Sequence, residues 1–264
     1  MKTIDIQLGT DPTMYLFKGN TKTRKTTAAA SFPGPIYFAD CDNRIEVVKK
    51  AFPERDDIEY DKFTKVTDMI DKKNEFLRSC PYKTIVFPDT ITSFCEMLMN
   101  YAIESRGGQS KTSTGKGHKS KGNISLLEID DYMAETRLMS ELMDDLKIIN
   151  VEQKVNVIVI AHTIDVEIKN LKGEVTGHDQ YLISYGKKSA KKIPVSFNEV
   201  YHFIQKEGFE SGSGSKYICK TASSGLDWAG TALPGVPPEF EWTDKNFYQT
   251  LMGFVRKDDK SFVK

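Results

Sequence analysis

The sequence has no excess of charge of either sign: Lys plus Arg and Asp plus Glu number 37 each. No global field therefore draws the chain to nucleic acid or to an anionic membrane, and any anion binding has to come from local clusters. Cysteine is sparse. The four, Cys41, Cys80, Cys95 and Cys219, stand far apart and form no CxxC pair, which argues against a zinc site or a disulfide framework and for a reducing compartment. No charged-then-apolar leader opens the chain, and no apolar run approaches the roughly 18 residues of a membrane span. A cytoplasmic protein with no membrane partner is the expectation. No internal repeat is evident.

What is present is the composition of a folded globular protein, 28% charged and 39% hydrophobic over 264 residues, enough for one large α/β domain with appendages. Short β-rich apolar runs alternate with longer helical patterns, the signature of a mostly parallel sheet covered by helices. Four runs read as strands: Met14 to Gly19, Pro35 to Asp40, Lys83 to Asp89 and Val155 to His162. The last three lack alternation, as central parallel strands buried on both faces do. Residues 26–31, 66–77, 92–103 and 126–149 read as helices. In open α/β sheets ligands sit beyond the carboxyl ends of strands, so Asp40, Asp89 and His162 are expected on one edge. The C-terminal third reads as extra strands, with VYHFIQ and KYICK flanking a Gly/Ser turn at 208–215. Glu104 to Asn123 is rich in Gly, Ser, Thr and Lys and reads as a mobile basic loop.

The first strand runs into Gly19, Asn20, Thr21, Lys22, Thr23, Arg24, Lys25, Thr26 and Thr27, which fits the spacing GxxxxxK[ST] of a phosphate-binding loop. Such a loop needs backbone amides aimed at anionic oxygens, a lysine for the β/γ charge and a hydroxyl for magnesium. Lys25 and Thr26 supply the last two. Arg24 stands where a glycine normally precedes the lysine, and Lys22 occupies another glycine position; a side chain there costs on the order of 1 kcal/mol. Lys22 and Arg24 either add charge to a phosphate site or belong to a basic turn that binds nothing. Asp89 is either a magnesium-side carboxylate or a helix cap. Asp42, after the second strand, either orients the attacking water or caps a turn.

At these residues the chain resembles the RecA-like P-loop ATPases of phages, of the single-strand annealing or recombinase type with a minimal RecA/RadA core. The likeness runs from about Met14 to Pro234 through GNTKTRKTTAAASFPGPIYFADCDN, YKTIVFPDTITSF, VNVIVIAHT and IPVSFNEVYHF. It implies a RecA-like ATPase core over residues 1–240, with residues 241–264 as a tail packing on it. It implies ATP and Mg2+ at the loop, with Lys25 and Thr26 on phosphate and metal and Asp89 as the metal carboxylate. Asp42 falls where the family has a catalytic glutamate, and His162 where a polar residue senses the γ-phosphate. A histidine that merely caps its strand is the alternative for His162. The resemblance also implies a homo-oligomer, single-stranded DNA facing the segments 104–123 and 177–192, and a single-strand binding protein as a possible partner. Three functions follow: a DNA-dependent ATPase, a RecA-fold binding protein that has lost hydrolysis, or another P-loop class such as a small-molecule kinase.

Overall fold

A computed structural model of the chain describes residues 11–105, 129–184, 187–206, 216–224, 228–243 and 246–258. The expected basic loop at 104–123 falls outside these from residue 106 onward, as does the Gly/Ser turn at 208–215. The elements in chain order are β1 (Met14–Lys18), α1 (Lys25–Ala29), β2 (Ile36–Asp40), α2 (Glu46–Ala51), β3 (Ile58–Lys62), α3 (Val66–Arg78), β4 (Thr84–Asp89), α4 (Ile91–Ser105) and α5 (Ile129–Glu152). They continue with β5 (Asn156–Ala161), β6 (Thr163–Lys169), β7 (Val175–Leu182), α6 (Lys187–Lys192), a 3-10 turn (Ile193–Ser196), β8 (Glu199–Lys206), β9 (Lys216–Lys220), β10 (Glu239–Trp242) and α7 (Phe247–Asp258).

Among the described residues ten strands form an eight-stranded sheet of order β10-β9-β8-β1-β5-β4-β2-β3 and a separate β6-β7 hairpin. From β8 to β3 every pairing is parallel, while β8, β9 and β10 pair antiparallel. Successive strand residues point to opposite faces, and here that alternation divides two cores. Leu16, Ile85, Phe87, Val157 and Val159 face α3, α4 and α5, which contribute Met69, Phe94, Leu98 and Leu142. Tyr15, Phe17, Val86, Ile158 and Ile160 face the other way, toward Ala28 and Ala29 of α1, Val48 of α2 and Phe247 and Leu251 of α7. The sheet is thus a middle layer between two helical ones, the mostly parallel α/β architecture of a RecA-like P-loop protein with C-terminal antiparallel strands.

The second core is aromatic. Phe17, Phe203 and Phe247 pack with ring centroids 4.8–5.5 Å apart, and Trp242 meets Phe247 edge-on at 5.3 Å, the tilted geometry that aromatic quadrupoles favour. Much of the C-terminal extension is therefore built into the core beneath β1. The reading of that region as strands alone misses α7, whose buried Phe247, Leu251, Met252 and Val255 recur at helical spacing. The segment 177–192, expected as a loop, is instead the end of β7 followed by α6. Its strand is fixed by a ladder to β6 from Thr163↔Leu182 to Ile168↔Gly177.

One polar clamp closes the far end of α1. Arg55 Nη1 donates to the carbonyls of Ala30 (2.7 Å) and Phe32 (3.0 Å), while Nε and Nη2 make a bidentate pair with Asp57 at 2.7 and 2.6 Å. Gly34 packs against this clamp; a Cβ there would lie 1.7 Å from Asp57 Oδ2. Arg55→Ala strands the two carbonyls and should lower stability by about 1–3 kcal/mol, read from the midpoint of urea unfolding.

Candidate functional site: a phosphate loop and its carboxylates

The carboxyl ends of β1, β2, β4 and β5 open on one cavity of about 750 Å³, lined by the loop residues 21–27 together with Asp42, Arg44, Lys50, Asp89 and His162. Gly19 leaves β1 at φ 141°, and a Cβ on it would stand 2.3 Å from the carbonyl oxygen of Phe203 on β8. Only glycine fits there. Lys22 (φ 64°) and Arg24 (φ 62°) adopt the left-handed conformation despite their side chains. The loop therefore keeps the backbone that glycine normally permits at these positions, and each exception stores strain on the order of 1 kcal/mol. Arg24 recovers part of this by laying its guanidinium 3.9 Å above the ring of Tyr217 on β9.

Lys25, the first residue of α1, folds back into the loop. Its Nζ donates to Gly19 O (2.9 Å) and Asn20 O (2.7 Å), with Thr23 Oγ1 and His162 Nδ1 each at 3.4 Å. Burial pushes its pKa down to about 8 against the opposing pull of Asp89 and Asp42. Thr26 Oγ1 donates to Asp89 Oδ1 at 3.3 Å. Burial raises the Asp89 carboxyl to about 7, and the neighbouring Asp42 adds to the rise.

Asp40 and Asp42 separate in role. Asp40 accepts the backbone amides of Arg44 and Ile45, both at 3.1 Å, and so caps the entry to α2. Asp42 faces the cavity. It accepts from Thr90 Oγ1 at 3.2 Å and, by a short hydrogen bond, from Ser93 Oγ; His162 Nε2 lies 3.8 Å from its other oxygen. Burial works against its ionisation, but His162, Ser93 and Thr90 together hold its pKa below the usual carboxylate value. His162, the residue after β5, thus stands between Lys25 and Asp42.

The structure brings Gly19 to Thr27, Asp42, Asp89 and His162 to one strand-end edge. Sequence reasoning did not find Arg44 and Lys50 on the cavity wall, because Arg44 lies in the loop before α2 and the α2 that carries Lys50 is only six residues long, too short to show a period. Nor did it find Tyr217 under Arg24, a contact between residues far apart in sequence.

The loop fits a nucleoside triphosphate, since Lys22, Arg24, Lys25, Arg44 and Lys50 line the same cavity. The residues also fit Mg2+. Thr26 and Asp89 offer hard oxygens. That suits an ion that retains waters and binds through one or two protein oxygens plus substrate phosphates.

Fold and loop together are those of a P-loop protein of RecA-like architecture. Residues 11–224 match the AAA_24 family, described as an AAA domain, and the chain belongs to that family. No curated protein matches the sequence. Among solved structures, the KaiC-like protein PH0186 from Pyrococcus horikoshii OT3 is similar at 13% identity and TM-score 0.42, over 80% of this chain and 78% of that one. The flagellar accessory protein FlaH from Methanocaldococcus jannaschii is similar at 11% identity and TM-score 0.43, over 88% and 85%. Among the described residues no helix is long and apolar enough to cross a membrane.

Two outcomes are expected of the site without nucleotide. Asp89 binds a proton more tightly folded than unfolded, so stability should fall as pH rises from about 4 to about 7, between its ordinary and its raised pKa. Lys25 binds its proton less tightly folded, so stability should recover from about 8 to about 10.5. Asp89→Asn should then melt higher than wild type at about pH 8, by roughly 2–4 °C or more, and gain nothing at about pH 4. Arg24→Gly removes both the left-handed strain and the Tyr217 contact. These offset, so its stability should stay within about 1 kcal/mol of wild type, checked by urea unfolding.

Proposed function

We propose that the chain is an ATP-dependent, magnesium-requiring ATPase that binds single-stranded DNA, of the phage recombination or annealing type, and acts as a homo-oligomer. The observation that carries the reading is the convergence of Lys25, Thr26, Asp89, Asp42 and His162 on one cavity. In this reading Lys25 exchanges the carbonyls of Gly19 and Asn20 for phosphate oxygens. Thr26 and Asp89 hold Mg2+, which supplies charge neutralisation at the phosphates. Asp42, fixed by Thr90 and Ser93, orients the attacking water, and His162 faces the terminal phosphate. Catalysis is then mostly positioning and charge stabilisation.

DNA binding draws its support from a local cluster of lysines. Helix α6 has the sequence KKSAKK, and Lys191 Nζ lies 5.4 Å from the ring centroid of Tyr181 on β7. Clustered lysines suit a phosphate backbone and make binding salt-dependent. A host-cytoplasmic location and a single-strand binding protein as partner belong to the same proposal.

A second reading, a nucleotide-binding protein without hydrolysis, is favoured by the state of Asp42. Its side chain is one methylene shorter than glutamate, and two hydroxyls already occupy one of its oxygens.

Magnesium-dependent phosphate release from ATP, with and without single-stranded DNA, separates the two. The ATPase reading expects DNA-stimulated release, and Lys25→Ala should abolish nucleotide binding with it. Nucleotide binding without release supports the second reading, and retained binding in Lys25→Ala removes the site assignment.

A further inference from the structure

Lys18, the last residue of β1, is completely buried, although most lysines keep their ammonium in water. Its Nζ lies 3.7 Å from the centroid of the Trp228 ring and donates to Gln180 Oε1 on β7 at 2.5 Å. Gln180 is held on two further sides. Its Nε2 donates to Asp165 Oδ1 at 3.0 Å, across the ladder in which these residues pair, and its carbonyl accepts from Trp228 Nε1 at 3.0 Å. One buried cation therefore ties the strand that feeds the phosphate loop to both strands of the β6-β7 hairpin.

At its base the hairpin is also held by Leu182, which is buried in the core beside α3, α4 and α5. It forms its own two-stranded sheet and leaves the central sheet directly after His162, with Ile183 N closing its second foot onto His162 O at 2.8 Å. At the root, Thr163 Oγ1 is buried with no hydrogen-bond partner among the described residues.

The tie also reaches the nucleotide side. Lys18 precedes Gly19, whose carbonyl accepts from Lys25 Nζ at 2.9 Å. An anion that draws Lys25 away frees that carbonyl, and the disturbance falls on the Gly19–Asn20 peptide, one residue beyond Lys18. We propose that Lys18 is a positioning residue through which the phosphate loop sets the pose of the β6-β7 hairpin, so that nucleotide bound at the loop changes the hairpin. This rests on the nucleotide-binding reading above, but not on hydrolysis or on DNA. Coupling between sites travels through packed groups that have two arrangements, and its proof is a measured response at the distant element.

The test is amide hydrogen exchange over residues 163–182 of the full chain, with and without a non-hydrolysable ATP analogue and Mg2+, alongside the affinity for a fluorescent analogue. In wild type the nucleotide should change exchange in the hairpin by about threefold or more. Lys18→Met fills a similar volume without charge. It should bind the analogue with affinity close to wild type while the hairpin response disappears, and Lys18→Arg should restore part of it. Gln180→Leu cuts the same link at its hairpin end and carries the test should Lys18→Met fail to fold. A merely structural lysine would lower the melting temperature yet leave the response in the surviving folded variants, which overturns the proposal. Wild type that binds the analogue with an unchanged hairpin overturns it as well. Wild type that binds no nucleotide overturns the parent reading, and this one with it.

Discussion

A buried ammonium among buried carboxylates is the constraint from which the rest of the cavity follows. Lys25 is removed from water at the start of α1, and its nearest acceptors are the carbonyls of its own loop rather than a carboxylate. Asp89, beside it, is buried as well and shares the cavity with Asp42. Neither charge is well solvated, and each depends on the other. Such an arrangement is costly when empty, because desolvation of an ion in a protein interior amounts to several kcal/mol even after relaxation. The opposing pKa displacements of Lys25 and Asp89 record that cost. A polyanion with a divalent cation would satisfy both groups, the first at the lysine and the second at the carboxylate. Perturbed groups of this kind gather where a fold binds or reacts.

Most of the sheet and of the site was legible in the sequence because both depend on local signals. The strands β2, β4 and β5 are continuous apolar runs ending in polar residues, and the structure places them within one or two residues of the expected bounds. The spacing from Gly19 to Thr26 located the loop, and the terminal polar residues Asp89 and His162 located the strand ends that face it. The β8-β9 pairing followed from apolar runs flanking a Gly/Ser segment. What failed was short or non-local. The α2 and β3 elements lack a periodic face, and β3 is an edge strand with mostly exposed side chains. The β6-β7 hairpin did have a signal: TIDVEIK alternates strictly and is followed by NLKG, where Asn170 Oδ1 accepts the amides of Lys172 and Glu174 and Gly173 adopts φ 81°. Asn and Gly at such spacing mark a tight connection. The strong pull of the basic residues further on led to a loop being expected there.

The two aspartates of FADCDN show why a motif read from sequence leaves its members unassigned. Both are carboxylates at the end of one strand, and sequence alone gives each the same candidate roles. The backbone decides. Asp40 lies within reach of the amides of Arg44 and Ile45 and satisfies the beginning of α2, where orphan donors need an acceptor. Two residues on, Asp42 meets hydroxyls of Thr90 and Ser93 from the start of α4 and the ring of His162 from β5. Three strand ends thereby converge on its carboxylate, so its position is set by tertiary packing.

The departures from glycine in the loop bear on how the C-terminal strands and the loop came to depend on one another. A left-handed Arg24 is unfavourable in isolation, and the strain persists only where surrounding contacts over-determine it. Tyr217 supplies such a contact, and it is available because β9 extends the sheet beyond β8, next to β1. Below it, Trp242 of β10 packs on Phe203 and Phe247 in the aromatic core under the same strand. A glycine at position 24 would free the loop from that requirement but would also remove the stacking contact with Tyr217 of the antiparallel extension. With arginine, the conformation of the phosphate loop and the docking of the C-terminal strands become a single packing problem, so that a change at Tyr217 of β9 is felt at Arg24 in the loop.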